Sequence, residues 1–344
     1  MVHSVLMVAL VLTAPPSIPP PQGDEVVSAA SRLEQVFARS APIHGGLSEG
    51  PAAAIDGTIY FSDIPMGADR GMILRFDPQR MRTTVFTDDS HKSNGLAFAD
   101  DGTLIACEGA DGGGRCLARW DVRSGKRSVI VDRYHGKRFN APNDLCIDRR
   151  GRIYVTDPKY VGPEQRELEH RAVYRVDSDG SVSELTHALS KPNGLVLSPD
   201  ERTLYVADTD NGSERIEPNA PPSAPGPMKV FALTLDVHGR VIDEPRSLID
   251  FGIEPGCDGM TVDSRGRLYL AVRTPQRPGV MVLDPVDSHE VAFIPTGPAN
   301  QQAANAVGLP SNVEFGRGAE RGMLYITVDQ GLWRIALRAV GRRE

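Results

Sequence analysis

Six residues whose side chains end in a carbonyl or carboxylate oxygen, Glu49, Asn94, Asn143, Asn193, Asp258 and Asn312, recur along the chain at intervals of 45, 49, 50, 65 and 54 residues. Oxygen-only donors with no His or Cys among them suit a hard cation, calcium above all, which takes six to eight oxygens from carboxylates, amides and water. Glu49 and Asp258 carry the two negative charges that balance a divalent ion, while the Asn residues add neutral carbonyls. A lone Asn or Asp at such a place is an ordinary turn former. Six in register would be costly to bury without a shared partner, and one cation supplies it. Zinc, magnesium and manganese stay open as the working ion.

Positioning six such residues requires a repeat. Each begins a similar stretch, from Glu49-Gly-Pro through Asn94-Gly-Leu, Asn143-Asp-Leu, Asn193-Gly-Leu and Asp258-Gly-Met to Asn312-Val-Glu. A polar turn and a short apolar strand follow, as in Arg152-Ile-Tyr-Val, Thr203-Leu-Tyr-Val and Arg267-Leu-Tyr-Leu. Strand, tight turn and strand make a β-hairpin, and each unit continues into a second hairpin, as in Ala172-Val-Tyr-Arg-Val-Asp. Two hairpins in about fifty residues build the four-stranded blade of a propeller. The fold expected is all-β, a six-bladed β-propeller whose innermost strands bring the six oxygens to one axis. The last copy is too short to finish its blade, so residues from Leu33 to Ile43 are expected to supply the outer strand and close the ring. The Pro-rich segment from Asn211 to Met228 is expected to form a surface loop near the mouth of the channel.

The remaining features bound the class. With 344 residues, 40% hydrophobic and 24% charged, the chain can bury a sizeable core. A formal charge of −7 with no long basic cluster argues against a nucleic-acid surface. The apolar run from Val5 to Ala14 and the Pro-rich stretch to Pro21 resemble a secretory signal, so a secreted or periplasmic location is expected, and no later run is long enough for a membrane span. Cys107, Cys116, Cys146 and Cys257 lack zinc-site spacing and are expected to be structural, with a Cys107–Cys116 bridge conceivable in an exported protein. The divisions expected are a leader at 1–22, a lead-in at 23–43, the propeller at 44–338 and a tail at 339–344.

Leu47-Ser-Glu-Gly-Pro with Tyr60-Phe-Ser-Asp, Phe139-Asn-Ala-Pro-Asn-Asp-Leu, Lys191-Pro-Asn-Gly-Leu with Tyr205-Val-Ala-Asp, and Cys257-Asp-Gly-Met together resemble the regucalcin/gluconolactonase family, with the related diisopropyl-fluorophosphatases and paraoxonases. The resemblance implies that Glu49, Asn193 and Asp258 ligate the metal, that Asn143 is either a fourth ligand or a substrate contact, and that Arg138 binds substrate. It implies hydrolysis of a small sugar lactone, with the cation polarising the carbonyl and Asp258 serving as ligand and general base. A cation beside Asp258 depresses its pKa, so Asp157 and Asp208, at the ends of the strands after Ile153 and Leu204, are alternatives near the channel. Asn94 is a further candidate substrate contact. His91, Lys92 and Lys159 lie on flanking loops where sugar hydroxyls could bind, though a solvated charge explains each as well, and His44 is expected to be packed or capped. The competing readings are a phosphotriesterase-like hydrolase on the same metal and a non-catalytic binding propeller.

Overall fold

A computed structural model describes residues 18–38, 46–65, 67–212, 224–297 and 308–342. Most of the leader, His44, the part of the expected closing strand beyond residue 38 and most of the Pro-rich loop expected between Asn211 and Met228 lie outside these residues. Six four-stranded antiparallel sheets form the ring, and the only helical element among the described residues is the 3-10 turn Gly318–Glu320. The innermost strands are Leu47–Ala53, Ser93–Phe98, Leu145–Ile147, Pro192–Leu197, Cys257–Val262 and Pro310–Phe315, one at the start of each blade. No helix is long and apolar enough to cross a membrane.

Alternation of side chains along each strand gives every blade two apolar faces, and the six cores lie between neighbouring blades. Between blades 6 and 1, for example, Phe61, Leu74 and Phe76 pack on Tyr325 and Leu332, all fully buried. The turns repeat as well. Asp148 and Asp263 each accept two backbone N–H groups and then the Nε of an Arg four residues on, at 2.6 and 2.7 Å, with the hydroxyl of Tyr154 or Tyr269 alongside.

The sixth blade is completed from the other end of the chain: Glu34–Phe37 pairs with Gly331–Ala336. Upstream, Gln22 bridges Phe293 of blade 5 and Val26 and Val27 sit fully buried between blades 5 and 6. Closure therefore spans two blades. The tail also turns inward, where Arg342 donates to Leu197 O and Glu201 beside the lower end of the channel.

Near the axis every junction carries a hydrogen bond to the backbone beside an axial residue. Ser62 Oγ donates to Asn94 O (2.7 Å), Gly95 N–H to Asn143 O (2.8 Å), Thr156 Oγ1 to Asn193 O (2.8 Å) and Thr209 Oγ1 to Cys257 O (2.5 Å). The last two are Arg273 Nη1 to Pro310 O (3.3 Å) and Ser311 Oγ to Ser48 O (2.6 Å). None of the four cysteines forms a disulfide. Cys107 stands opposite Leu117 and Cys116 opposite Glu108, so the two cysteines point to opposite faces of their sheet.

Candidate metal centre and cavity

Five of the six innermost strands break register at the axial residue: between Glu49 and Ala52, Ser93 and Leu96, Pro192 and Leu195, Cys257 and Met260, and Pro310 and Asn312. A bulge re-aims a side chain that would otherwise join the blade core. In blade 3 the same break lies just outside the shortened strand, where Asn143 N–H reaches Thr156 O. The residue that follows explains the glycines: a Cβ on Gly194 would lie 2.4 Å from Asp258 O, and one on Gly259 2.1 Å from the Asn312 side chain. Only glycine lets adjacent axial segments approach this closely.

The result is a cavity of about 430 Å³ whose floor carries Glu49, Asn94, Asn143, Asn193 and Asp258, and whose walls include Leu47, Ile64, Ala110, Pro142, Val161 and Met228. The sixth axial residue departs from the expected convergence. Asn312 Nδ2 donates to Asp144 Oδ2 at 3.3 Å and its Oδ1 accepts the Val313 N–H, so it faces the smaller space below the floor.

Charge dominates this floor. Glu49 is 4% exposed and the Asp258 side chain 14%. Burial, with Asp258 and Asp144 close by, holds the Glu49 carboxyl well above the usual range. Burial raises Asp258 too, against the pull of Arg273 and a hydrogen bond with Asn193. Asp144 is pushed up to about 7, mainly by burial. Three buried carboxylates beside one guanidinium leave negative charge uncompensated, and the donors around it are all oxygens. That set fits a hard divalent cation. Another acidic group, Asp284, Asp287 and His289, sits on the outer hairpin turn of blade 5 and is a surface feature remote in sequence from the axial positions.

Three expected substrate contacts are placed elsewhere. Asp157 and Asp208 are 0% and 2% exposed and spend both oxygens on backbone: Asp157 on Asn140 and Ala141 N–H (2.8 and 2.6 Å), Asp208 on Ser190 and Lys191 N–H (3.0 and 2.6 Å). They clamp the loops that deliver Asn143 and Asn193 and are positioning residues. Arg138 belongs to a two-residue hairpin, donates to Gly114 O and takes Glu167 on its own N–H. It is not among the cavity-lining residues, which this stretch of chain enters at Ala141, Pro142 and Asn143. Asn94 and Asn143 do line the cavity, as expected.

Lys92 also lines the cavity, yet its ammonium is committed to Pro65 O and Gly67 O (2.8 Å each), and buried Lys159 holds Gly162 O at 2.8 Å. Both are loop staples and neither is a solvated charge. His91 contacts Arg70 and Asp89 outside the lining. The clamp carries a prediction: Asp208→Ala strands the buried Lys191 N–H and the half-buried Ser190 N–H, at about 2 kcal/mol or more of stability, and displaces Asn193. Chemical denaturation and turnover are expected to fall together, and an unchanged midpoint would contradict the clamp.

Sequence reasoning missed Arg273, Asp144 and Tyr160. Arg273 had a signal: Leu268-Tyr-Leu-Ala-Val replaces the final acid of Ile153-Tyr-Val-Thr-Asp and Leu204-Tyr-Val-Ala-Asp with Val272, and a cation follows where Pro158 and Thr209 stand in those repeats. It lines the cavity and its Nη1 lies 3.2 Å from Asp258 Oδ2. Tyr160 braces the floor, its hydroxyl bonded to Thr209 O at 3.0 Å.

Comparison with known proteins agrees with this architecture. A gluconolactonase of Zymomonas mobilis is 29% identical over 345 residues, covering 92% of this chain and 87% of its own. The structure of a gluconolactonase from Xanthomonas campestris superposes with a TM-score of 0.74 at 29% identity, over 94% of this chain and 96% of that one. The calcium-binding protein regucalcin of Agrobacterium tumefaciens shares the fold, with a TM-score of 0.67 at 19% identity over 91% of this chain and 96% of its own. The model of the SMP-30/Gluconolactonase/LRE-like region matches residues 47–330, and the chain belongs to that family.

Proposed function

We propose that the axial cavity hydrolyses a sugar lactone with the help of one divalent cation, calcium being the best fit to its donors. The observation that carries this is the cavity floor itself, where five oxygen-bearing residues from five blades converge, two of them carboxyl groups that burial and mutual proximity disfavour ionising without a cation. The two similar gluconolactonases support the choice of reaction.

In this reading Glu49, Asn193 and Asp258 hold the cation, with Asn143 beside them, and the bound ion supplies polarisation of the lactone carbonyl. Asp258 takes the proton of the attacking water as its oxygen bonds to the carbonyl carbon. The ring C–O bond breaks and the proton passes to the leaving ring oxygen, so lactone and water give one hydroxy acid. Asn94 and Asn143 present amide groups to the sugar hydroxyls, while the apolar walls exclude competing water.

A turnover panel after chelation tests the reading. D-glucono-1,5-lactone and other aldonolactones are expected to lose about 10²-fold or more in rate without metal and to recover with calcium or another divalent ion. A fluorophosphate hydrolysed faster than any lactone would move the assignment to phosphotriester chemistry. Absence of any turnover would leave a binding propeller.

A further inference from the structure

Among the described residues two cations line the cavity, Lys92 and Arg273, and only Arg273 keeps part of its donor set uncommitted. Lys92 is spent on two carbonyls, with Asp111 3.5 Å away. Arg273 follows the strand Leu268–Val272, and only its Nη1 is engaged, with Asp258 Oδ2 at 3.2 Å and Pro310 O at 3.3 Å. Its Nε and Nη2 make no hydrogen bond among the described residues, and the side chain is 24% exposed. Those two N–H groups form one flat edge of the guanidinium, the geometry that receives both oxygens of a carboxylate. A divalent ion on the floor would balance Glu49 and Asp258, with Asp144 turned below it toward Asn312. The guanidinium would then face the cavity without a counter-charge.

We infer that Arg273 is the anion-recognition residue of this site and docks a carboxylate on its Nε–Nη2 edge, an assignment that rests on the lactonase reading for its choice of ligand. The carboxylate has two chemical sources. It is either a substituent of the substrate, as in the lactone of a sugar diacid, or the group that ring opening creates in the product.

D-glucaro-1,4-lactone and D-glucono-1,4-lactone distinguish them, because they share a ring and differ in a carboxylate against a hydroxymethyl group. In the calcium-loaded enzyme, Arg273→Gln is expected to lower the ratio of kcat/KM for the acid lactone over the neutral one by about 10²-fold, as expected when a site built for a polar group loses its partner. Arg273→Lys should restore part of it. If the carboxylate comes from the product, the ratio stays near its wild-type value while the inhibition constant for D-gluconate rises tenfold or more. Calorimetric titration with D-glucarate reads the same edge without turnover and should lose its heat in Arg273→Gln. Equal losses on both lactones with unaltered gluconate and glucarate binding would overturn the proposal and leave Arg273 as a partner of Asp258 alone. A wild type that turns over neither lactone yet binds glucarate through Arg273 would refute the lactonase reading and retain the anion edge.

Discussion

Asp258→Asn is expected to lower lactone turnover by about 10³-fold or more while the protein stays folded. In the proposed mechanism Asp258 both holds the cation and takes a proton, and Asn can do neither as an anion. The fold should survive because the substitution keeps size and shape, and Arg273 keeps its bond to Pro310 O. In the cation-free protein the variant should melt within about 4 °C of wild type, the shift expected of roughly 1–2 kcal/mol in a domain of this size. Two opposing terms act there: relief of the crowding between Asp258 and Glu49, and loss of the ion pair with Arg273. Parallel kinetics and thermal melts decide it. Turnover like wild type would remove Asp258 from the chemistry, and a collapsed melting profile would make it a structural residue.

The second large effect is on stability, and its direction follows from the buried carboxylates. In the folded, cation-free protein Asp144 holds its proton up to about 7 against an ordinary 3.8, and Glu49 and Asp258 are raised as well. Below the ordinary range, folded and unfolded chains are both protonated and nothing is lost. Between that range and about 7 the unfolded chain has released protons that the folded one keeps, so the contribution falls as pH rises and is gone above the folded values. The apo protein is therefore expected to melt several degrees lower at pH 8 than at pH 5. A cation that occupies the floor reverses this: at a hundred times its dissociation constant it adds about 2.7 kcal/mol, or roughly 5 °C, with the larger gain at pH 8. Scanning calorimetry with and without calcium at both pH values is the measurement. A melting temperature indifferent to every divalent ion at pH 8 would exclude the axial centre.

Much of this arrangement is legible in the sequence because a repeat turns a weak signal into a strong one. One Asn before Gly-Leu says little, but the same position in six blades has to arrive at one axis, and Glu49, Asn94, Asn143, Asn193 and Asp258 do. The limits are equally physical. Whether Asn312 faces up or down depends on Asp144, a residue of another blade 168 positions away. Asp157 and Asp208 end strands of blades 3 and 4, yet the loop leading into the neighbouring innermost strand presents two N–H groups that claim both their oxygens. Arg138 lies close to Asn143 in sequence, but Gly114 O and Glu167 hold it in its own short hairpin, while Asn143 lines the cavity. Arg273 is the converse, distant from any motif and brought beside Asp258 because the two flank the same hairpin of blade 5.

The six junction bonds near the axis have a consequence for chain order. None of them depends on the peptide link between one blade and the next: Ser311 to Ser48 joins residues 263 positions apart and does the same service as Ser62 to Asn94. The ring is thus cyclic in its non-covalent contacts while the chain is linear, and the seam at blade 6 is set at the rim, by Glu34–Phe37 on Gly331–Ala336, far from the centre. A circular permutant that opens the chain in any inter-blade loop and joins the present ends would present the same axial oxygens in the same places, because the geometry belongs to the circle and is indifferent to where along it the backbone starts.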